Sequence, residues 1–289
     1  MRPVIRLVAG LSFAVMCASA HAQFGFKLPS LGGGSNSQPS GININSVIDN
    51  ASKIGKDIDE PEEIHIGQDF ATTLLGAKPL LADEHMQRYV NALGHWLALQ
   101  TERPDLPWTF AVLDDAGFNA FATPGGYIFV TRGLVQRMHN ESELAGVLSH
   151  EIGHVLRKHY LKAVQHSAVV GLLGDLAGGA SGGNAQIKGA ALSFVKDLYS
   201  KGLDKEDEFE ADRIGVVIAT RAGYDPFGLP AVLQILQEQS ATDSNFSLLL
   251  KTHPAPADRL DRLDKLMKNQ FDVIPGVAGL SITDRLKEY

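Results

Sequence analysis

Cysteine is nearly missing: the 289 residues include one, Cys17. No internal disulfide is available, so stability must come from a hydrophobic core or a bound metal. Long apolar runs are also scarce. The stretch 7–20 is too short for a comfortable membrane span, and no later run is longer. Positive charge is in deficit, with 26 Lys and Arg against 33 Asp and Glu and a net charge of −7. That balance argues against binding nucleic acid or anionic lipid. No internal repeat is evident.

The N-terminus reads as an export signal. Arg2 and Arg6 precede the apolar stretch, and Ala20-His21-Ala22 offers a small-x-small cleavage site before Gln23. Lipidation at Cys17 is disfavoured, because Met16 stands where a small residue is wanted. Cleavage removes the thiol and two arginines but no acid, leaving a more acidic chain. The expected organisation is a signal peptide at 1–22, a Gly/Ser-rich flexible tether at 23–42, one catalytic domain at 43–268 and a C-terminal tail at 269–289.

Five residues carry the chemistry: His150-Glu151-Ile152-Gly153-His154, an H-E-x-x-H pattern. On a helix, residues four apart share a face, so His150 and His154 can point at one metal ion with Glu151 beside them. A helix is well signposted here. Asn140 reads as its N-cap with Glu143 three positions on, and Leu144, Val147, Leu148, Ile152 and Val155 form a core-facing stripe. The run Arg157-Lys158-His159 suits the last turn.

A catalytic zinc needs a third protein ligand and an open fourth position. The metzincin continuation is absent, since Arg157 and Tyr160 occupy the places of its Gly and third His. Glu208 and Asp212 lie four apart on a second apolar-striped helix. One of them can bind metal while the other holds a ligand histidine through its second nitrogen. Glu210 points elsewhere on that helix.

With Glu208-x-x-x-Asp212, the H-E-x-x-H segment resembles the M48 peptidases, and most closely their soluble periplasmic branch. The segment 119–134 (NAFATPGGYIFVTRGL) and Thr252-His253-Pro254 followed by Arg259 extend the resemblance, which runs from about 45 to 268. It implies an α+β, zincin-like (gluzincin) fold, mostly helical, with a small sheet whose edge strand flanks the active-site helix. The repeat domain that follows in larger members is not expected here. The resemblance also implies one zinc ion per chain on His150, His154 and Glu208, with Glu151 as general base and Asp212 as orienting carboxylate. His253 would stabilise the transition state or cap the fourth position, and His253 or Arg259 would face the oxyanion. The run 127–130 reads as the edge strand that pairs with substrate backbone. The implied activity is endopeptidase cleavage of unfolded or misassembled envelope proteins in the periplasm, in outer-membrane protein quality control, with the outer-membrane assembly machinery as an implied partner. Two rivals are a periplasmic chaperone or binding protein with a latent metal site, and a processing protease with one specific substrate.

Elsewhere, apolar periodicity predicts helices at 47–54, 62–75, 82–99, 226–239 and 256–268, and a strand at 108–113. His65, His85 and His95 read as surface or structural residues. The Gly-rich segment 167–197 fits a loosely packed helix pair or a movable lid.

Overall fold

The structure is a computed structural model that describes residues 58–163 and 202–288, apart from 240–242, 244, 269, 272–273 and 275. The expected signal segment, the tether, the helix at 47–54 and the Gly-rich segment lie outside the described residues.

Two capped helices lead into the sheet. Helix α1 (Glu60–Ala77) opens on Asp59, whose carboxylate accepts from Glu62 N, and its first turn is acidic. Helix α2 (Glu84–Ala98) is capped in the same way by Asp83 and buries Met86, Tyr89, Val90, Leu93 and Leu97.

Three strands follow: β1 (Thr109–Leu113), β2 (Ala120–Thr123) and β3 (Tyr127–Thr131). A 3-10 turn at Pro124–Gly126 joins the last two, with Gly125 at φ 73°, a region that suits glycine. The order is β1-β3-β2, with β3 parallel to β1 (Val112 opposite Val130) and antiparallel to β2 (Ala122 opposite Ile128). Residues 127–130, expected at the sheet edge, are therefore in its middle strand. The outer strand lying against the helix that carries His150 and His154 is β2.

Both faces of the sheet are covered, which explains why the strands read as continuous apolar runs. Phe110, Val112, Ile128 and Val130 join the main core with α2. Ala111, Leu113, Phe121 and Phe129 pack on Ala71 and Leu74 of α1.

Beyond a short α3 (Arg132–Val135) runs α4 (Glu141–Leu156), buried along its whole length. Asn140 caps it by accepting from Glu143 N. The reciprocal bond of the capping box is shifted by one residue, since the Glu143 carboxylate accepts from His139 N at 2.7 Å. Helices α5 (Lys205–Arg221), α6 (Gly228–Gln237), α7 (Ser247–Thr252) and α8 (Pro256–Met267) follow. Helix α9 (Ile282–Arg285) returns to the start of α4. Ile282 enters the core there and Arg285 reaches the Glu141 carboxylate at 2.6 Å.

Candidate metal centre

Helix α4 supplies His150, Glu151 and His154, and α5 supplies Glu208 and Asp212. The two helices cross closely because glycine marks the seam on each. Gly153 of α4 faces the Ala211 backbone, and Gly215 of α5 faces the His150 backbone. A carboxylate two turns before Gly215 is thereby delivered to the two histidines.

His150 Nε2 and His154 Nε2 lie 3.0 Å apart. Glu208 Oε2 is 3.6 Å from the first and Glu208 Oε1 is 3.7 Å from the second. His150, His154, Glu151, Glu208 and Asp212 are each no more than 3% exposed. Behind His150, Nδ1 meets Asp212 Oδ1 at 2.9 Å. Asp212 is in turn held by Arg259, whose Nε donates to Oδ2 at 2.8 Å and whose Nη2 donates to Oδ1.

The hydrogen positions follow from these partners. A carboxylate only accepts, so His150 Nδ1 carries the hydrogen and its Nε2 presents a lone pair. His154 Nδ1 contacts the Nδ1 of His159 at 3.0 Å, and His159 Nε2 faces Glu210 Oε2 at 3.3 Å. In neutral rings His159 therefore donates from Nε2 and accepts at Nδ1, so the His154 Nδ1 is protonated and its Nε2 also presents a lone pair. With both rings neutral, two lone pairs and a carboxylate converge. Glu208 Oε2 and Glu151 Oε2 are buried without a hydrogen-bond partner among the described residues. Buried polar atoms are rarely left so. This donor set fits a divalent cation of the nitrogen- and oxygen-binding kind.

The charges agree with such a site. Burial disfavours the Glu208 anion, but His253, His154 and His150 around it win and hold its carboxyl well below the usual range. Burial likewise opposes ionisation of Asp212, and Arg259 overcomes it. Burial lowers His154 well below the ordinary imidazole value and keeps it neutral. Burial also lowers His150, but Asp212 at its Nδ1 and the nearby Glu208 carboxylate reverse that and push it up to about 9. Such a site binds a cation by displacing that proton. Glu151 differs from the other carboxylates. Burial, helped by the charge of Glu208 and opposed by His150, pushes it up to about 7, where a carboxyl exchanges protons readily near neutrality.

The structure thus gathers His150, Glu151, His154, Glu208 and Asp212 at one point. His253 joins them from the end of α7, with Nε2 3.6 Å from Glu208 Oε2. Its Nδ1 sits 3.0 Å from Thr252 Oγ1 and 3.2 Å from the Leu249 carbonyl. Arg259 is close as well: its Nε and Nη2 hold Asp212, and it lines the cleft beside Glu151. Two residues were read differently from the sequence. His159 is fully buried behind His154 rather than part of a basic last turn, and Glu210 reaches it from α5. The signal available for them was a third histidine five residues after the motif.

A small apolar cleft opens beside Glu151 and His253, with Phe118, Leu134, Val147 and Leu233 in its wall. No helix among the described residues is long and apolar enough to cross a membrane.

Residues 84–267 match the sequence profile of Peptidase family M48. The chain is 32% identical over 221 residues to the beta-barrel assembly-enhancing protease of Escherichia coli K12, covering 73% of this chain and 45% of that protein. It is 31% identical over 225 residues to the Yersinia pestis protein of the same name, with the same coverage. It is 27% identical over 161 residues to the mitochondrial metalloendopeptidase OMA1 of Schizosaccharomyces pombe, covering 56% of this chain and 47% of that one. The chain spans about half the length of these curated relatives.

Proposed function

The chain belongs to peptidase family M48, and from that premise we propose that it is a zinc-dependent endopeptidase holding one zinc ion on His150, His154 and Glu208. The observation that carries this reading is the convergence of two imidazoles and a buried carboxylate, its Oε2 without a hydrogen-bond partner, beside the buried Glu151.

When bound, zinc would supply Lewis acidity toward a scissile carbonyl and lower the pKa of a water molecule. Glu151 takes the proton of the attacking water and passes it to the leaving amine. Asp212, clamped by Arg259, fixes the ring of His150. His253, 3.6 Å from Glu208, stands where it can cap the fourth position of a latent site or stabilise the transition state. An extended peptide pairs with β2, the outer strand on the α4 side, and an apolar side chain fits the cleft beside Glu151.

The substrates we propose are unfolded or misassembled cell-envelope proteins, reached after export through the signal segment at 1–22 and a tether at 23–42. Two relatives are named for enhancing β-barrel assembly, which supports a place in outer-membrane protein quality control. The deciding experiment is degradation of an unfolded test protein by wild type and Glu151→Gln, with bound zinc quantified in both. Cleavage by the wild type alone, with about one zinc in each, is expected. A wild type that takes up no zinc after reloading would sink the ligand assignment. Activity that appears only in His253→Ala would assign that ring the cap.

A further inference from the structure

We propose that His159 is a positioning residue for His154, carrying the pull of a carboxylate pair to that ring as Asp212 does directly to His150. The inference rests on the metal reading above and extends it to a side chain that touches neither metal nor substrate.

The two candidate ligand histidines are otherwise treated unequally. His150 has a carboxylate on its Nδ1 at 2.9 Å. His154 has none, and its Nδ1 meets the Nδ1 of His159 at 3.0 Å, with the rings nearly perpendicular and their centroids 5.1 Å apart. On the far side, His159 Nε2 is 3.3 Å from Glu210 Oε2 and 3.4 Å from Asp207 Oδ1. A hydrogen on His159 Nε2 and one on His154 Nδ1 satisfy every contact in this chain. That pattern leaves the His154 Nε2 lone pair aimed at the metal point and makes it a better electron donor.

The backbone is shaped to put His159 there. Helix α4 ends at Leu156, and Lys158 takes φ 56°, a left-handed conformation usually left to Gly or Asn after a helix. The chain turns at 157–158 and is helical again from 159, so His159 falls under His154 instead of running on outward. Lys158 is tied down by Glu63 at 3.0 Å and by the Ile58 carbonyl at 3.3 Å. Glu210 is fixed from outside by Arg157 at 3.2 Å and Arg213 at 3.6 Å. These guanidiniums also argue against reading His159, Asp207 and Glu210 as a second metal site, because the Glu210 charge is already balanced.

The test measures zinc affinity of the purified protein by competition with a chelator, and the visible spectrum of the cobalt-substituted form. His159→Leu should bind zinc roughly 10- to 100-fold more weakly and shift the cobalt bands. His159→Gln, whose amide both accepts and donates, should recover much of the affinity. The double variant Asp207→Asn, Glu210→Gln should fall between them. Melting of the metal-free forms separates lost affinity from lost fold. A folded His159→Leu with zinc affinity within about threefold of wild type and unchanged cobalt bands overturns the inference. Should His159→Leu fail to fold, unchanged affinity in both His159→Gln and the carboxylate double variant overturns it equally. Loss of a second zinc equivalent with the first untouched would replace the relay by a second metal site. Wild type without zinc fails the metal reading and the relay together; wild type with zinc and an indifferent His159 fails the relay alone.

Discussion

Gly215 of α5 lies so close to His150 of α4 that a Cβ placed on it would fall 2.9 Å from the His150 backbone nitrogen. The atom it would meet is backbone, which cannot swing aside. Gly215→Ala should therefore force the helices apart, costing about 1–3 kcal/mol of stability and weakening zinc binding as Glu208 is drawn back. Gly76, near the end of α1, is the contrast, since a Cβ there meets nothing within 4 Å. Gly76→Ala should stabilise by roughly 0.4–1 kcal/mol. Thermal melting of the metal-free proteins checks both signs, and equal effects would refute the close-crossing argument.

Arg259 and Asp212 form a buried ion pair behind His150. Removing one partner strands the other, so Arg259→Met should cost about 3–5 kcal/mol. Adding Asp212→Leu to it should restore part of that loss, because the stranded charge is gone. Urea unfolding of the single and double variants tests this. A double variant less stable than the single by the full cost of Asp212→Leu would mean that the two residues act independently.

Acid should weaken the fold through Glu63. This carboxylate is buried, pairs with Arg103 and Lys158 at 3.0 Å each, and accepts from Gly125 N. Burial alone would raise its pKa, but Arg103 and Lys158 hold it below the ordinary 4.5. The folded value is thus the lower one. Its contribution is complete above pH 4.5 and is lost as pH falls through the folded value. Glu63→Gln should cost roughly 2 kcal/mol near neutrality and show a flatter decline in acid. Parallel stability curves for wild type and variant from neutral pH to pH 3 would contradict this.

The returning C-terminal segment should matter to the start of α4. Glu141 is buried, and its Oε2 meets Arg285 at 2.6 Å and accepts from Leu280 N at 3.3 Å. Arg285→Ala should destabilise by about 3 kcal/mol, and removal of 277–289 by more, since Ile282 leaves the core with it. Denaturant midpoints measure this. A truncated protein as stable as the full chain would show that the segment merely lies on the surface.

Much of this was legible in the residues because short-range rules govern it. The Asn140 cap, the four-residue spacing of His150 and His154, and that of Glu208 and Asp212 depend only on helix geometry. The run at 127–130 was recognisable as a strand, but a continuous apolar run says nothing of its place in the sheet, and β3 is central. Arg157-Lys158-His159 looked like an ordinary basic helix end. Nothing in a lysine announces a left-handed backbone, so the inward turn of His159 was hidden. Arg259 was visible as a nearby cation, but its bidentate grip on Asp212 was not.

By itself, then, the sequence determined which side chains can share a helical face, where α4 begins, and that the donors present are imidazole and carboxylate. Those properties arise from neighbours within a few residues along the chain. Tertiary structure alone decided that α4 and α5 meet at Gly153 and Gly215 and that Glu208 reaches both histidines. It also decided which strand faces α4, and that Glu210 and Asp207 stand behind His159. Each of these depends on how closely two distant backbones can approach, a steric fact belonging to the pair and to neither segment on its own.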